Sequence, residues 1–127
     1  MGPNKKMVLF ESDIKRLEEV KSFILENLDK ELTAAAIAAQ HRIGKSTLHR
    51  HFSAFFNQSL HQFILKSRME KVMELIVERH CNINQAGTLV GYKEASSLTR
   101  AFIKYYGHPP KYYIIEDRSP GSQMDKK

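Results

Sequence analysis

Arg50 and Arg100 stand fifty positions apart in the same local sequence. Ser46-x-Leu48-x-Arg50-x-Phe52-x-x-x-Phe56-Asn57 returns as Ser96-x-Leu98-x-Arg100-x-Phe102-x-x-x-Tyr106-Gly107, without insertion. A guanidinium is a permanently charged planar fork of N–H donors. It matches paired acceptors such as a carboxylate, a phosphate or the O6/N7 edge of guanine. Ser and Thr hydroxyls beside it can serve bases or phosphates. One exposed arginine on a helix carries little weight. Two in the same register of a repeat carry much more, because chance does not preserve register.

The elements that must position these side chains follow from helical geometry. Each residue advances about 100° around the axis. With Leu48 at zero, Phe52 and Phe55 fall within roughly 40° of it and form an apolar ridge. Ser46, Arg50 and Ser53 then lie opposite, flanked by His49. In the second copy Leu98, Phe102 and Tyr105 face inward, while Ser96, Thr99 and Arg100 face outward. Ile103 replaces Ser53, so the polar face is expected to end there. The B-DNA major groove, about 12 Å wide, admits one such helix, and an arginine–guanine pair contributes roughly 1–3 kcal/mol of discrimination.

The rest of the chain also reads as helix. Ser12 or Asp13 can cap a first helix carrying Ile14, Leu17, Val20 or Lys21, Ile24 and Leu28, ending near Asn27 or Leu28. Thr33 caps an alanine-rich helix to about Gln40; His41-Arg42-Ile43-Gly44 makes a turn with Ile43 as its plug. A third helix follows from about Lys45 to Phe56, left through Asn57. Ser59 to Arg79 is a longer helix whose wide apolar stripe suits packing on two sides. Its 21 residues span roughly 31 Å, close to the ~34 Å turn of B-DNA. The second unit runs from Ile83 to about Val90, turns through Gly91-Tyr92, and continues from about Glu94 to Tyr106. Gly107 and Pro109-Pro110 end that helix and begin a short one through Ile115. The expected fold is all-α, about seven helices in two helix-turn-helix subdomains joined by a long linker helix. The expected segments are an arm or linker remnant (1–11), a first unit (12–57), the linker helix (58–80), a second unit (81–117) and a flexible tail (118–127).

Composition fits this plan. The 127-residue chain is 42% hydrophobic with a net charge of +6. From Gln40 to Lys71 six bases face one acid, whereas Met1 to Ala39 holds six bases and seven acids. A basic segment beside a near-neutral one marks a polyanion-facing patch. The apolar runs are too short to span a membrane, and Met7 to Phe10 is too short for a signal-peptide core. With Cys81 as its one cysteine the chain suits a reducing cytoplasm and has no internal disulfide.

These residues resemble the DNA-binding domain of AraC/XylS-type transcriptional regulators over about Thr33 to Tyr113. The matching positions are Ile37-Ala38, Leu48-x-Arg50-x-Phe52, Arg68, Gly91-Tyr92, Leu98-x-Arg100-x-Phe102 and Gly107-x-x-Pro110-x-x-Tyr113. The resemblance implies that Ser46, His49, Arg50, Ala95, Ser96, Thr99 and Arg100 occupy base-facing positions; Lys45, Ser53 and Lys104 complete the candidate DNA contacts. It implies double-stranded DNA as partner, sequence-specific binding near promoters, activation through RNA polymerase, and in many members an upstream ligand-sensing or dimerisation domain. Met1 to Phe10 reads equally as a linker remnant or as the start of a stand-alone regulator. The sequence departs from the family where Arg42 stands for a turn glycine, Gly44 for a Ser cap, and Ala86-Gly87 for a bulky aliphatic followed by Ala. A glycine inside that helix costs about 1 kcal/mol relative to Ala.

Other constellations point less far. His49 and His51 diverge on a helix and cannot share one ion, so no metal or other cofactor is expected. Cys81 reads as a partly buried structural thiol. The aromatics Phe55, Phe56, Tyr105, Tyr106, Tyr112 and Tyr113 are spaced as core residues for the most part. Three function classes remain open: a double-stranded DNA reader, which the repeat favours; a basic helical adaptor for acidic proteins; and an enzyme fragment depending on Cys81. No catalytic constellation is visible, so the chain reads as a binding module.

Overall fold

Seven helices and no strand are formed by the described residues, 8–79 and 81–113, in a computed structural model of the chain. The expected all-α class is therefore what the chain adopts. Expectations for the beginning of the N-terminal arm, for His80, for the last helix as far as Ile115 and for the tail fall outside the described residues. Two compact units divide the chain, Met1–Ser67 and Arg68–Lys127.

The first unit contains α1 (Glu11–Glu26), α2 (Ala34–Gln40), α3 (Lys45–Phe56) and the start of α4 (Leu60–Val77). Helix α1 starts ahead of the expected Ser12 or Asp13 cap. Asp13 lies in its first turn instead, its carboxylate accepting the Phe10 N–H at 2.9 Å, where an acid also suits the positive helix end. Thr33 caps α2 as expected, its hydroxyl oxygen accepting from the Ala36 N–H at 3.1 Å. Ser59 and Gln62 open α4 with a reciprocal capping box of 2.8 and 3.0 Å. Leu17, Val20, Ile24, Ile37, Leu48, Phe52 and Leu60 are fully buried in one core.

The second unit contains the rest of α4 with α5 (Ile83–Leu89), α6 (Ala95–Tyr106) and α7 (Pro110–Tyr113). Asn82 and Gln85 cap α5 reciprocally at 2.8 and 3.0 Å. Met69, Val72, Leu75, Ile76, Ala86, Val90, Leu98 and Phe102 form its core, with Cys81 half-buried against it. The broad apolar stripe of α4 is shared out along its length: Leu60, Phe63 and Ile64 serve the first core, and Met69 to Ile76 the second.

A matched set of aromatic contacts fixes α3 and α6. Phe52 lies 4.5 Å from Phe56 and 5.6 Å from Phe63, and Phe56 lies 6.4 Å from Phe63. Their counterparts Phe102, Tyr106 and Tyr113 repeat the set at 4.7, 5.8 and 5.9 Å. The repeat therefore extends past the recognised motif to Phe63 and Tyr113. The buried ridge differs from expectation at its far end. Phe55 and Tyr105 are 37% and 38% exposed, standing edge-on to Phe56 and Tyr106 at 4.9 and 4.8 Å. The ring one turn beyond Phe52 or Phe102 takes the inward place, and the chain leaves the helix directly after it. Tyr112 is exposed too, lying flat on His108 at 3.8 Å. Of the six aromatics expected mostly in the core, three are exposed and Phe56, Tyr106 and Tyr113 are half-buried.

The turns differ between copies. The Ile43 N–H donates to Ala38 O at 3.0 Å, and the Tyr92 N–H to Gly87 O at 2.8 Å. These equivalent pairs are 49 residues apart, while the N-caps Gly44 and Glu94 are fifty apart, so Lys93 is an extra residue in the second turn. Gly91 adopts φ 87° in that turn, whereas Arg42 holds φ 54° in the first, at a cost of about 1–2 kcal/mol for a residue with a Cβ.

Gly87 lies close to the packed side chain of Leu98. A Cβ built on it would approach Leu98 Cδ2 to 3.3 Å. That contact is tight, but it meets the end of a side chain, and Ala38 occupies the corresponding place in the first core. Gly87→Ala is expected to stabilise the protein, since the helix gains up to ~1 kcal/mol, worth about 4–8 °C in Tm for a small domain. A thermal melt showing a lowered Tm would mean that Leu98 cannot yield.

Candidate nucleic-acid interface

Burial on one side of α3 determines what its other side presents. Leu48 and Phe52 are fully buried, which sets the rotation of the helix about its axis. Lys45, Ser46, Arg50 and Ser53 are consequently exposed and His49 half-buried. The Arg50 Nη2 donates to Thr47 Oγ1 at 3.3 Å, a long bond that takes up one N–H of the guanidinium and leaves its other donors outward. The His49 ring lies 5.7 Å from the ring of His61 on α4. Gly44 supplies no side-chain cap and the first turn holds no acid. Lys45 therefore sits beside the positive helix end, unfavourable for a free helix by a few tenths of a kcal/mol and favourable once an anion approaches.

Helix α6 repeats the arrangement. Leu98 and Phe102 are fully buried. Ser96, Arg100 and Lys104 are exposed, and Ala95 and Thr99 are half-buried. Thr99 lines a largely apolar cleft of about 400 Å3 with Ile76, Ile83, Pro109, Pro110 and Lys111. Ile103 is 40% exposed, so the outward face does turn apolar toward the helix end. Glu94 starts α6 without a side-chain cap bond. Among the described residues no ion pair reaches Arg50 or Arg100, so neither charge is neutralised by an acid of the chain.

Sequence reasoning overlooked His61 and Lys111. They follow the buried Leu60 and Pro110 fifty residues apart; both are exposed, His61 with its ring near that of His49 and Lys111 lining the same cleft as Thr99. The signal was available, because the spacing of fifty continues past Asn57 and Gly107. Among the described residues no group of three or more His, Cys, Asp or Glu could hold a metal ion, and no helix is long and apolar enough to cross a membrane.

A family model described as a helix-turn-helix domain matches residues 37–114, more than half of the chain. The chain belongs to the AraC/XylS family of DNA-binding domains. The matched segment takes in α3, α6 and the whole of α4. The chain is 28% identical over 109 residues to the probable transcriptional regulator LumQ of Photobacterium leiognathi, a match covering 84% of this chain and 44% of that protein. It thus spans less than half the length of this curated relative. The C-terminal domain of AraT, a response regulator from Geobacillus stearothermophilus, shares the fold with a TM-score of 0.76 at 22% identity, covering 85% of this chain and 93% of that one. The DNA-binding domain of AdpA, solved in complex with a target DNA, shares it with a TM-score of 0.72 at 20% identity, over 77% and 88% of the two chains.

The family's Gly-Tyr turn also has an electrostatic side. Burial raises the Tyr92 phenol above its ordinary value, opposed by the charge of Arg68, and burial lowers Arg68, opposed by Tyr92. Tyr106 is raised as well, first by burial and then by Tyr105, Glu70 and Tyr113. A phenol raised in the folded state disfavours its phenolate there. Its contribution to stability is complete below the ordinary phenol value of about 10 and is lost as pH rises through the folded value. Tyr92→Phe is therefore expected to shed less Tm than the parent between about pH 9 and 11. Parallel melts would count against this if both chains lost the same amount.

Proposed function

We propose that the chain is the sequence-reading part of a transcription regulator, with α3 and α6 entering successive major grooves on one face of a duplex. The observation that carries this reading is the repeated outward arginine. Arg50 and Arg100 stand at the same register of two 12-residue helices, each opposite a buried Leu–Phe pair and paired with no acid among the described residues. In this reading the two guanidinium groups take guanine edges, Ser46, His49, Ser53, Ala95, Ser96 and Thr99 line the base-facing surface, and Lys45 and Lys104 meet phosphates. Ala95 offers no polar group, so the second helix leans more heavily on Arg100.

Family membership supports the remaining parts of the proposal: activation through RNA polymerase, control by an upstream ligand-sensing or dimerisation domain, and residence with DNA in the cytoplasm. The chain acts as a binding module and not as an enzyme; Cys81, half-buried against the second core, serves packing.

Titration of a selected site and a scrambled duplex at two salt concentrations tests the reading. Wild-type affinity is expected to fall steeply with salt as counterions are released. Arg50→Ala and Arg100→Ala should each weaken the selected site by roughly 5- to 150-fold, the equivalent of about 1–3 kcal/mol, and relax one base position. Equal losses on both duplexes would make these arginines phosphate contacts. No binding at low salt would favour an adaptor for acidic proteins.

A further inference from the structure

The repeat has a second charged element outside the reading helices. After the left-handed exits at Asn57 (φ 60°) and Gly107 (φ 93°), both copies bury an apolar residue three places on, Leu60 or Pro110. The next side chain, His61 or Lys111, is exposed. His61 neighbours one register position of α3, and Lys111 lines the same cleft as the equivalent position of α6. The rings of His61 and His49 are 5.7 Å apart, and Lys111 shares a cleft with Thr99, fifty residues beyond His49. The aromatic contacts that tie Phe63 to Phe52 and Tyr113 to Phe102, at 5.6 and 5.8 Å, hold both places in the same relation to the reading helix. Among the described residues neither His61 nor Lys111 is engaged by an acid.

We propose that His61 and Lys111 are a matched pair of backbone anchors, each gripping a DNA phosphate that flanks the base approached by His49 or Thr99. The proposal rests on α3 and α6 being the reading helices. A side chain one position beyond a buried residue, on the element that follows the reading helix, lies too far out to reach base edges once the helix is seated. It remains placed to meet the strand bordering the groove. The phosphate oxygen is an acceptor for the ammonium of Lys111 and for an N–H of the His61 imidazole. The two anchors are chemically unequal. Lys111 brings a full charge and displaces a counterion when it binds, whereas an imidazole supplies chiefly a hydrogen bond. The second unit, whose Ala95 is silent toward bases, thus has the stronger grip on the backbone.

The test measures affinity against salt for the selected site and a scrambled duplex, with melting temperature as the folding control. Lys111→Gln and His61→Ala should weaken both duplexes by the same factor, about 3- to 10-fold, and leave base preference untouched. Lys111→Gln should make the slope of log K against log salt shallower by about 0.9, and His61→Lys should steepen it by about 0.9. Ser22→Lys, an equal charge placed on α1, should steepen it less. The anchors are overturned if the slope ignores Lys111→Gln and His61→Lys, if Ser22→Lys steepens it as much, or if either loss is confined to the selected site. Arg50→Ala and Arg100→Ala run alongside. If they still relax base preference, only the anchor proposal has failed; if they do not, the reading-helix assignment has failed with it.

Discussion

The seating of one phenylalanine in each unit governs what the molecule offers to a partner. Phe52 and Phe102 are fully buried, and each is held by an aromatic ring one turn later and another from the following helix, at distances that agree between copies within 0.5 Å. A helix with Leu48 and Phe52 pinned inward has no rotational freedom left. Arg50 must then point to solvent, because two residues turn the axis by about 200°. The same constraint sets Arg100. Which side chains the outer face presents is therefore fixed by packing on the inner one.

The outer face is built at some expense to the free protein. Neither α3 nor α6 has a side-chain cap bond or an acid within its first turn, although α2, α4 and α5 are all capped by side chains. Lys45 stands where a helix on its own would prefer an acid. The packed helices α2, α4 and α5 are finished locally by side chains, whereas α3 and α6 begin without such a bond, α3 behind Gly44 and α6 behind Glu94.

Much of this was legible in the sequence because the determining signals are local. The Leu-x-x-x-Phe spacing, the Thr33 cap and the exits at Asn57 and Gly107 each act within a turn or two of chain. What escaped depends on contacts between elements. Phe55 and Tyr105 have the angular position of core residues, yet lie where the helix outruns its packing partners. Gly87 counts as a weakness of α5 by propensity, and the 3.3 Å approach of Leu98 that a Cβ would meet there becomes visible only once the unit is packed. The extra Lys93 is invisible to a repeat defined on α3 and α6 alone, since it falls in the turn ahead of them. His61 and Lys111 went unnoticed because the motif was closed at the helix exits, and the neighbours that give them meaning, His49 and Thr99, are twelve residues away in sequence.

Double reading by two equivalent helices is the claim on which the functional assignment stands. Selection of bound duplexes from a fully randomised pool measures it directly, since enrichment reports every base position that the protein discriminates. Two short specified blocks separated by about one helical turn are predicted, each dominated by a guanine facing one arginine. A single enriched block, or a bound pool indistinguishable from the input, would contradict it.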